Sequence, residues 1–249
     1  MMTLKGRIAL VTGGTRGIGL EIARMLLANG MKVAIMGSTK TNMVNAINEL
    51  STNNKSCYGV LCDIKSEKSI SKAIAKVVDQ FNGIDVVINC AGILDTQSVE
   101  DIAQIEWNSV INTNLNGAYF IIQKSLKYLE QSKFPRIVNI SSNAGRMGGY
   151  ENGMAYTASK GGLIALTYGL ARRLANKGIT VNCVAPGPIR TEMSSRHNKE
   201  ALSKLLDRIP IGRMGEPQEV ASAVLYLVSE EASFTTGAVI DVNGGLFTG

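Results

Sequence analysis

Short runs of β-branched and aliphatic residues recur along this chain, and each is followed by a longer stretch of amphipathic, helix-period sequence. The first run, RIALVTG at 7–13, leads into GIGLEIARMLLANG, where Ile18, Ile22, Met25 and Leu26 share a helical face and Gly30 ends it. KVAIM, CYGVLCD, IDVVINCAG, RIVNISS, ITVNCVAP and AVIDVNGG are six further strand-like runs, with helical sequence between them. Strands separated by roughly ten or more helical residues cannot be hairpin partners and pair in parallel. Right-handed crossovers then put helices on both faces. The expected fold is α/β: a doubly wound, seven-stranded parallel sheet. No linker, repeat or low-complexity segment breaks the pattern, so one domain is expected over 1–249.

Such sheets bind ligands at the carboxyl ends of their strands, and the junction after the first run suits a phosphate. TGGTRGIG (Thr12 to Gly19) spaces Gly13, Gly17 and Gly19 as G-x-x-x-G-x-G. Glycines there let backbone approach a pyrophosphate, while the next helix presents free N–H groups and the positive end of its dipole. A glycine-rich turn that merely packs strand on helix has the same composition; position at the first strand–helix junction favours the phosphate reading. An NAD site places an acid at the end of the second strand. Here that end reads IMGSTK, with Gly37 and Ser38 in place of a carboxylate, and Arg16 and Lys40 near the same corner. A hydroxyl and cations fit a 2′-phosphate, so NADP(H) is expected over NAD(H), although solvated surface charges would look alike in sequence. Asp63, at the end of the third run, is a candidate acceptor for an adenine amino group. Ala91 and Gly92, after the fourth, leave room for a ribose.

Composition narrows the alternatives. The formal charge of +6 is moderate, and no dense basic stripe with interleaved aromatics marks a nucleic-acid surface. Cys57, Cys62, Cys90 and Cys183 form no C-x-x-C motif and sit in apolar runs, as reduced thiols of a cytoplasmic protein would. His197 is the one histidine, so no metal site is expected. No apolar run reaches bilayer length, and the first strand begins too early for a signal peptide.

Further along, MAYTASKGG puts Tyr156 and Lys160 four residues apart on one helical face. With that segment the chain resembles the short-chain dehydrogenase/reductase family over essentially its whole length. The matching pieces are TGGTRGIG, NCAG, NTNLNGAY, NISS, YTASK and APGPIRTEM, in family order. The resemblance implies a Rossmann fold, Tyr156 as acid/base, Lys160 as its partner, Ser142 as hydrogen-bond donor to the substrate carbonyl, and Asn114 as holder of a relay water. It implies cofactor contacts from Gly13, Thr15, Arg16, Gly17, Ile18, Gly19, Ser38, Asp63, Ile64, Asn89, Ala91, Gly92, Tyr156, Lys160, Pro186, Gly187, Ile189 and Thr191. The chemistry agrees: a free phenol titrates near about 10, and an adjacent ammonium favours its ionised form, easing proton exchange with a developing alkoxide. A hydroxyl at the fifth strand's exit can stabilise that oxygen. Asn114 taken alone is equally consistent with an ordinary inter-helix hydrogen bond. Ser142 stands fourteen residues before Tyr156, longer than the usual family spacing, and the glycine-rich NAGRMGGYENG absorbs the difference. Ser141 competes for its role. Cys90 replaces a customary asparagine.

Among the family's branches the chain is most similar to bacterial 3-oxoacyl-[acyl-carrier-protein] reductases, through ITVNCVAPGPIRTEM, RIPIGRMGEPQEVA and TGAVIDVNGG. That implies an acyl-thioester substrate presented by an acidic acyl carrier protein, and a homotetramer. Lys133, Arg172, Arg173 and Lys177 form a basic group that could attract such a carrier or simply complement helix ends. Residues at about 191–212 are expected to cap the substrate. Their stripe of Leu202, Leu205, Leu206 and Ile209 suits a lid or plain packing on the sheet. Two other readings stay open: a sugar, polyol or other secondary-alcohol dehydrogenase with the same chemistry, and a non-catalytic dinucleotide sensor that keeps only the fold.

Overall fold

The computed structural model describes residues 4–50, 56–149, 152–192 and 199–249, with 199–202 described as helix backbone only. Seven strands form one sheet: β1 (Ile8–Thr12), β2 (Lys32–Gly37), β3 (Cys57–Leu61), β4 (Val86–Asn89), β5 (Arg136–Ile140), β6 (Thr180–Pro186) and β7 (Val239–Val242). Their order is β3-β2-β1-β4-β5-β6-β7, and every pairing is parallel. All seven expected runs became strands. The sheet is the one the strand–helix alternation predicts.

Helices α1 (Gly17–Ala28), α2 (Lys40–Leu50) and α3 (Glu67–Phe81) follow the first three strands. α4 (Gln104–Ile111) and α5 (Gly117–Leu129) lie between β4 and β5, joined by a π-helical turn at Asn112–Asn116. A four-residue α6 (Ala144–Met147) and the long α7 (Met154–Leu174) follow β5, and α8 (Lys199–Leu206) and α9 (Pro217–Leu227) precede β7. Strand side chains alternate between two cores, as the period of two requires. Ala9, Val11, Val33, Ile35, Val86 and Ile88 pack with Ile22, Leu26 and Val224 of α1 and α9. Leu10, Ala34, Met36 and Val87 pack with Ile74, Ile121 and Leu174 of α3, α5 and α7 on the opposite face. Both faces are covered, which explains why these strands read as continuous apolar runs.

The chain winds outward in one direction through β2 and β3, then returns to β1 and builds the other way from β4. Ala9 therefore lies opposite Val86 and Thr12 opposite Asn89, residues far apart in sequence. At such a reversal the crossover loops diverge and leave a crevice outside the strand ends. The site is there.

Candidate active site

A cleft of about 670 Å³ opens at the carboxyl ends of β1, β2, β3, β4 and β5. Its floor is the loop between β1 and α1. Gly13 has φ +66, and a Cβ there would lie 2.8 Å from the Ala91 Cα, so the two loops at the reversal touch only because residue 13 is glycine. A Cβ on Gly19 would fall 2.3 Å from the Gly13 carbonyl oxygen, so the start of α1 can turn tightly beneath the loop. Arg16 is the extended N-cap of α1, and it makes no side-chain cap, so the first-turn N–H groups face the cleft without one. That cradle suits a pyrophosphate.

Of the residues expected to hold a dinucleotide, Gly13, Thr15, Arg16, Gly17, Ile18, Gly19, Ser38, Asp63, Ile64, Ala91, Gly92, Tyr156, Lys160 and Thr191 all line this cleft. At the β2 exit, Thr39 and Asn42 join Ser38 on the wall, while Lys40 begins α2 and is not part of the lining. Arg16 reaches across the mouth to Glu192 at 3.2 Å, both well exposed. Asp63 is exposed; its Oδ1 accepts the Lys65 N–H at 3.0 Å, which fixes the carboxylate at the strand exit. The Cys90 thiol also lines the cleft, and burial pushes it up to about 11, leaving it a neutral thiol at physiological pH.

Four expected contacts are not on the cleft wall. Asn89 points into the sheet interior, where its amide donates to Asn139 Oδ1 at 2.9 Å and to the Ala118 carbonyl at 3.4 Å. Asn139, its register partner on β5, donates in turn to Thr167 of α7 at 2.9 Å. Asn89 thus ties β4 to β5 and α5, and Asn139 extends the tie to α7. Pro186, Gly187 and Ile189 form the exit turn of β6. That turn is fixed by Asn143 N–H to the Pro186 carbonyl at 2.8 Å, Gly187 N–H to Val242 at 2.9 Å, and a parallel bridge from Ile189 to Gly215.

The candidate catalytic residues converge from three elements. Tyr156 and Lys160 stand on the first turns of α7, the Lys160 Nζ 5.7 Å from the phenol ring centroid. Lys160 is only 4% exposed. Its ammonium donates to the Ile140 carbonyl at 2.9 Å, and its own carbonyl accepts the Ser141 hydroxyl at 2.8 Å, so the β5 exit holds it by side chain and backbone. Ser141 is thereby committed. Ser142 is free of that duty: its hydroxyl accepts the Ala144 N–H at 3.1 Å and lies 3.2 Å from Asn143 Oδ1. Ser141 lines the cleft and Ser142 sits one residue beyond it, against the start of α6.

Asn114 is fully buried in the π-helical turn. Its Oδ1 accepts the Ile93 N–H at 2.8 Å, and its Nδ2 donates to the Ile93 carbonyl at 2.9 Å and to Ser159 Oγ at 3.0 Å. Both amide hydrogens have protein partners, so this side chain clamps the loop after β4 to α7. Sequence reasoning did not single out Thr12, whose hydroxyl accepts the Cys90 and Ala91 N–H groups at 3.1 Å and joins the two sides of the reversal. Nor did it find Asp95, whose carboxylate accepts the Tyr156 N–H at 2.8 Å. A threonine closing an apolar strand and an acid in a polar loop carry no local signal of either role. His197, with residues 193–198 of the expected cap, and the side chain of Leu202 lie outside the described residues.

A phosphate cradle at a topological reversal, opening onto a tyrosine–lysine pair, defines a dinucleotide-dependent oxidoreductase. A family model described as enoyl-(acyl carrier protein) reductase matches residues 13–247. The 3-oxoacyl-[acyl-carrier-protein] reductase FabG of Aquifex aeolicus is 40% identical over 245 residues, covering 98% of each chain. Those of Vibrio cholerae and Escherichia coli are each 38% identical over 248 residues, covering 99% of each chain. The crystal structure of gox2181 superposes with a TM-score of 0.94 at 31% identity, covering 98% of this chain and 96% of that one. An Agrobacterium tumefaciens protein assigned as a gluconate dehydrogenase gives 0.94 at 30%, covering 99% and 98%. The chain belongs to the short-chain dehydrogenase/reductase family.

Proposed function

We propose that this chain reduces a 3-oxoacyl thioester to the 3-hydroxyacyl thioester with NADPH, Tyr156 acting as proton donor. The observation that carries the reading is the Tyr156–Lys160 pair on the wall of the same cleft as the glycine cradle. The thioester class rests on full-length similarity to relatives named for that reaction. When bound, the nicotinamide supplies the hydride that the carbonyl carbon accepts. The carbonyl oxygen then gains a proton from the Tyr156 hydroxyl. Lys160 holds a positive charge beside that phenol and lowers the cost of the negative charge the phenol acquires. The Ser142 hydroxyl, released from Asn143, donates to the same carbonyl oxygen as charge develops there. Asn114 acts through the clamp it makes between the loop after β4 and Ser159, holding both relative to Tyr156.

The preference for NADPH is supported by Arg16, Ser38, Thr39 and Asn42 around the β2 exit, where no carboxylate follows Gly37 through Asn42. We take the chain as one catalytic domain with residues 191–212 capping the substrate; Ile209 is buried and Leu205 and Leu206 half-buried in that segment. The assembly we expect is a homotetramer in the cytoplasm. Light scattering tests the first, and four cysteines outside any disulfide fit the second. No helix among the described residues is long and apolar enough to cross a membrane. Lys133, Arg172, Arg173 and Lys177 lie near the chain entries to β5 and β6, at the opposite end of the strands from the cleft, and Lys177 is paired with Glu130 at 2.6 Å. A carrier drawn to them would engage the far end of the same subunit's sheet.

Acetoacetyl-CoA should drive NADPH oxidation, and Tyr156→Phe should slow it at least about 100-fold while NADPH still binds. Turnover of crotonyl-CoA alone would make the chain an enoyl reductase, as the family model's description allows. Turnover of gluconate or related polyols alone would replace the thioester reading with the alternative that one structural relative favours.

A further inference from the structure

We infer that Asp95 is a positioning residue for the proton donor, an acid from the loop after β4 that caps α7 and fixes Tyr156 against Lys160. The inference rests on the reading of Tyr156 as that donor. α7 begins without a cap of its own: its N-cap, Gly153, has no side chain, and its first turn holds no acid. The N–H of Tyr156 stands where a cap normally accepts. Asp95 fills the role from 61 residues away, its Oδ2 accepting that N–H at 2.8 Å while its main-chain carbonyl accepts the Gly153 N–H at 2.8 Å. A carboxylate there is also favoured by the positive end of a 21-residue helix.

The contact is tight. A Cβ on Gly153 would lie 1.5 Å from Asp95 Oδ1, so glycine at 153 is what allows the carboxylate to reach the helix. Asp95 is nine-tenths buried, and its Oδ1 has no hydrogen-bond partner among the described residues.

Around Tyr156 the bonds close into a ring. Its carbonyl accepts the Ser159 hydroxyl at 2.7 Å, Ser159 accepts from Asn114, Asn114 grips Ile93 by both N–H and carbonyl, and two residues on the chain reaches Asp95, which returns to the Tyr156 N–H. Lys160, by contrast, is anchored to β5 through Ile140 and Ser141. Loss of Asp95 therefore loosens the phenol and leaves the ammonium and the cofactor cradle in place. A kinetic split follows.

Asp95→Ala should lower kcat for acetoacetyl-CoA by about ten- to a hundredfold, the scale of a misplaced reacting group, with the Kd for NADPH unchanged. Asp95→Asn keeps an oxygen acceptor and should return kcat to within about threefold of the parent, since Asn caps helices as well as Asp. Gly153→Ala should reproduce the kcat loss by displacing the carboxylate, and should add little in an Asp95→Ala background, where the obstruction is gone. Parental kcat in Asp95→Ala, no recovery in Asp95→Asn, or additive losses in the double variant would overturn the inference. So would NADPH affinity falling in step with kcat, which marks general unfolding. Tyr156→Phe run alongside separates the two levels. An active Tyr156→Phe removes the donor assignment itself, whereas an inactive one beside a fully active Asp95→Ala removes only the role of Asp95.

Discussion

Arg16 is the side chain on which the proposed cofactor preference turns. Its guanidinium meets the Glu192 carboxylate at 3.2 Å across the cleft mouth, with 62% and 76% of the two side chains exposed. An exposed pair of this kind contributes little to stability, so a phosphate arriving at the same corner meets an arginine that is cheap to recruit. Arginine prefers such oxyanions for the fit of its planar donors. Arg16→Ala is expected to weaken NADPH binding by about tenfold or more, the scale of a charge-assisted hydrogen bond, and NADH much less. Fluorescence titration with both cofactors checks this; equal losses would remove the 2′-phosphate contact from Arg16.

Among the elements, the junction of α4 and α5 matters most to the site. A π-helical turn widens the helix for one turn and redirects the side chains it carries; here it delivers Asn114 to Ile93 and Ser159 at once. Immediately after it, Gly117 lies against the β3 exit, where a Cβ would come 2.6 Å from Ile64 Cγ1 and 2.9 Å from its carbonyl oxygen. Gly117→Ala should therefore overpack this joint at a cost of about 1–3 kcal/mol. We expect a fall in Tm of about 2–10 °C together with weaker NADPH binding, since Ile64 lines the cleft; an unchanged Tm would mean that α5 can shift without strain. The strands were legible because a parallel strand buried on both faces reads as a nearly unbroken apolar run, as IALV of β1 and VVI of β4 do before their polar last residues. The cradle was legible because three glycines at a strand–helix junction answer a local steric demand. The π-turn was not, since NTNLN satisfies an ordinary helix equally well. Asn89 was expected at the ligand from the family resemblance; its register opposite Asn139 and its bonds to Asn139 and Ala118 turn it inward. Asp95 was missed because its partner is a backbone N–H that only the tertiary fold brings near.

For the molecule as a whole, the reversal between β1 and β4 divides the sheet into two blocks, β1–β3 and β4–β7, joined along one strand pairing. The cleft spans that join, with the β1 loop and Ser38 on one side and Ala91, Tyr156 and Lys160 on the other. A ligand bound there requires both blocks in register, so it binds the folded chain and not its separated parts. At NADPH about a hundredfold above its Kd, the linkage contributes about 2.7 kcal/mol, and Tm should rise by about 5–10 °C. A melting temperature indifferent to NADPH would mean that the cradle does not span the join. The same coupling carries beyond the test tube. A protease acts on opened molecules and so samples the population that has lost its join; filling the cleft shrinks that population. The lifetime of this protein in a cell would then track the supply of its own reductant, falling when the nucleotide is scarce and lengthening when it is plentiful.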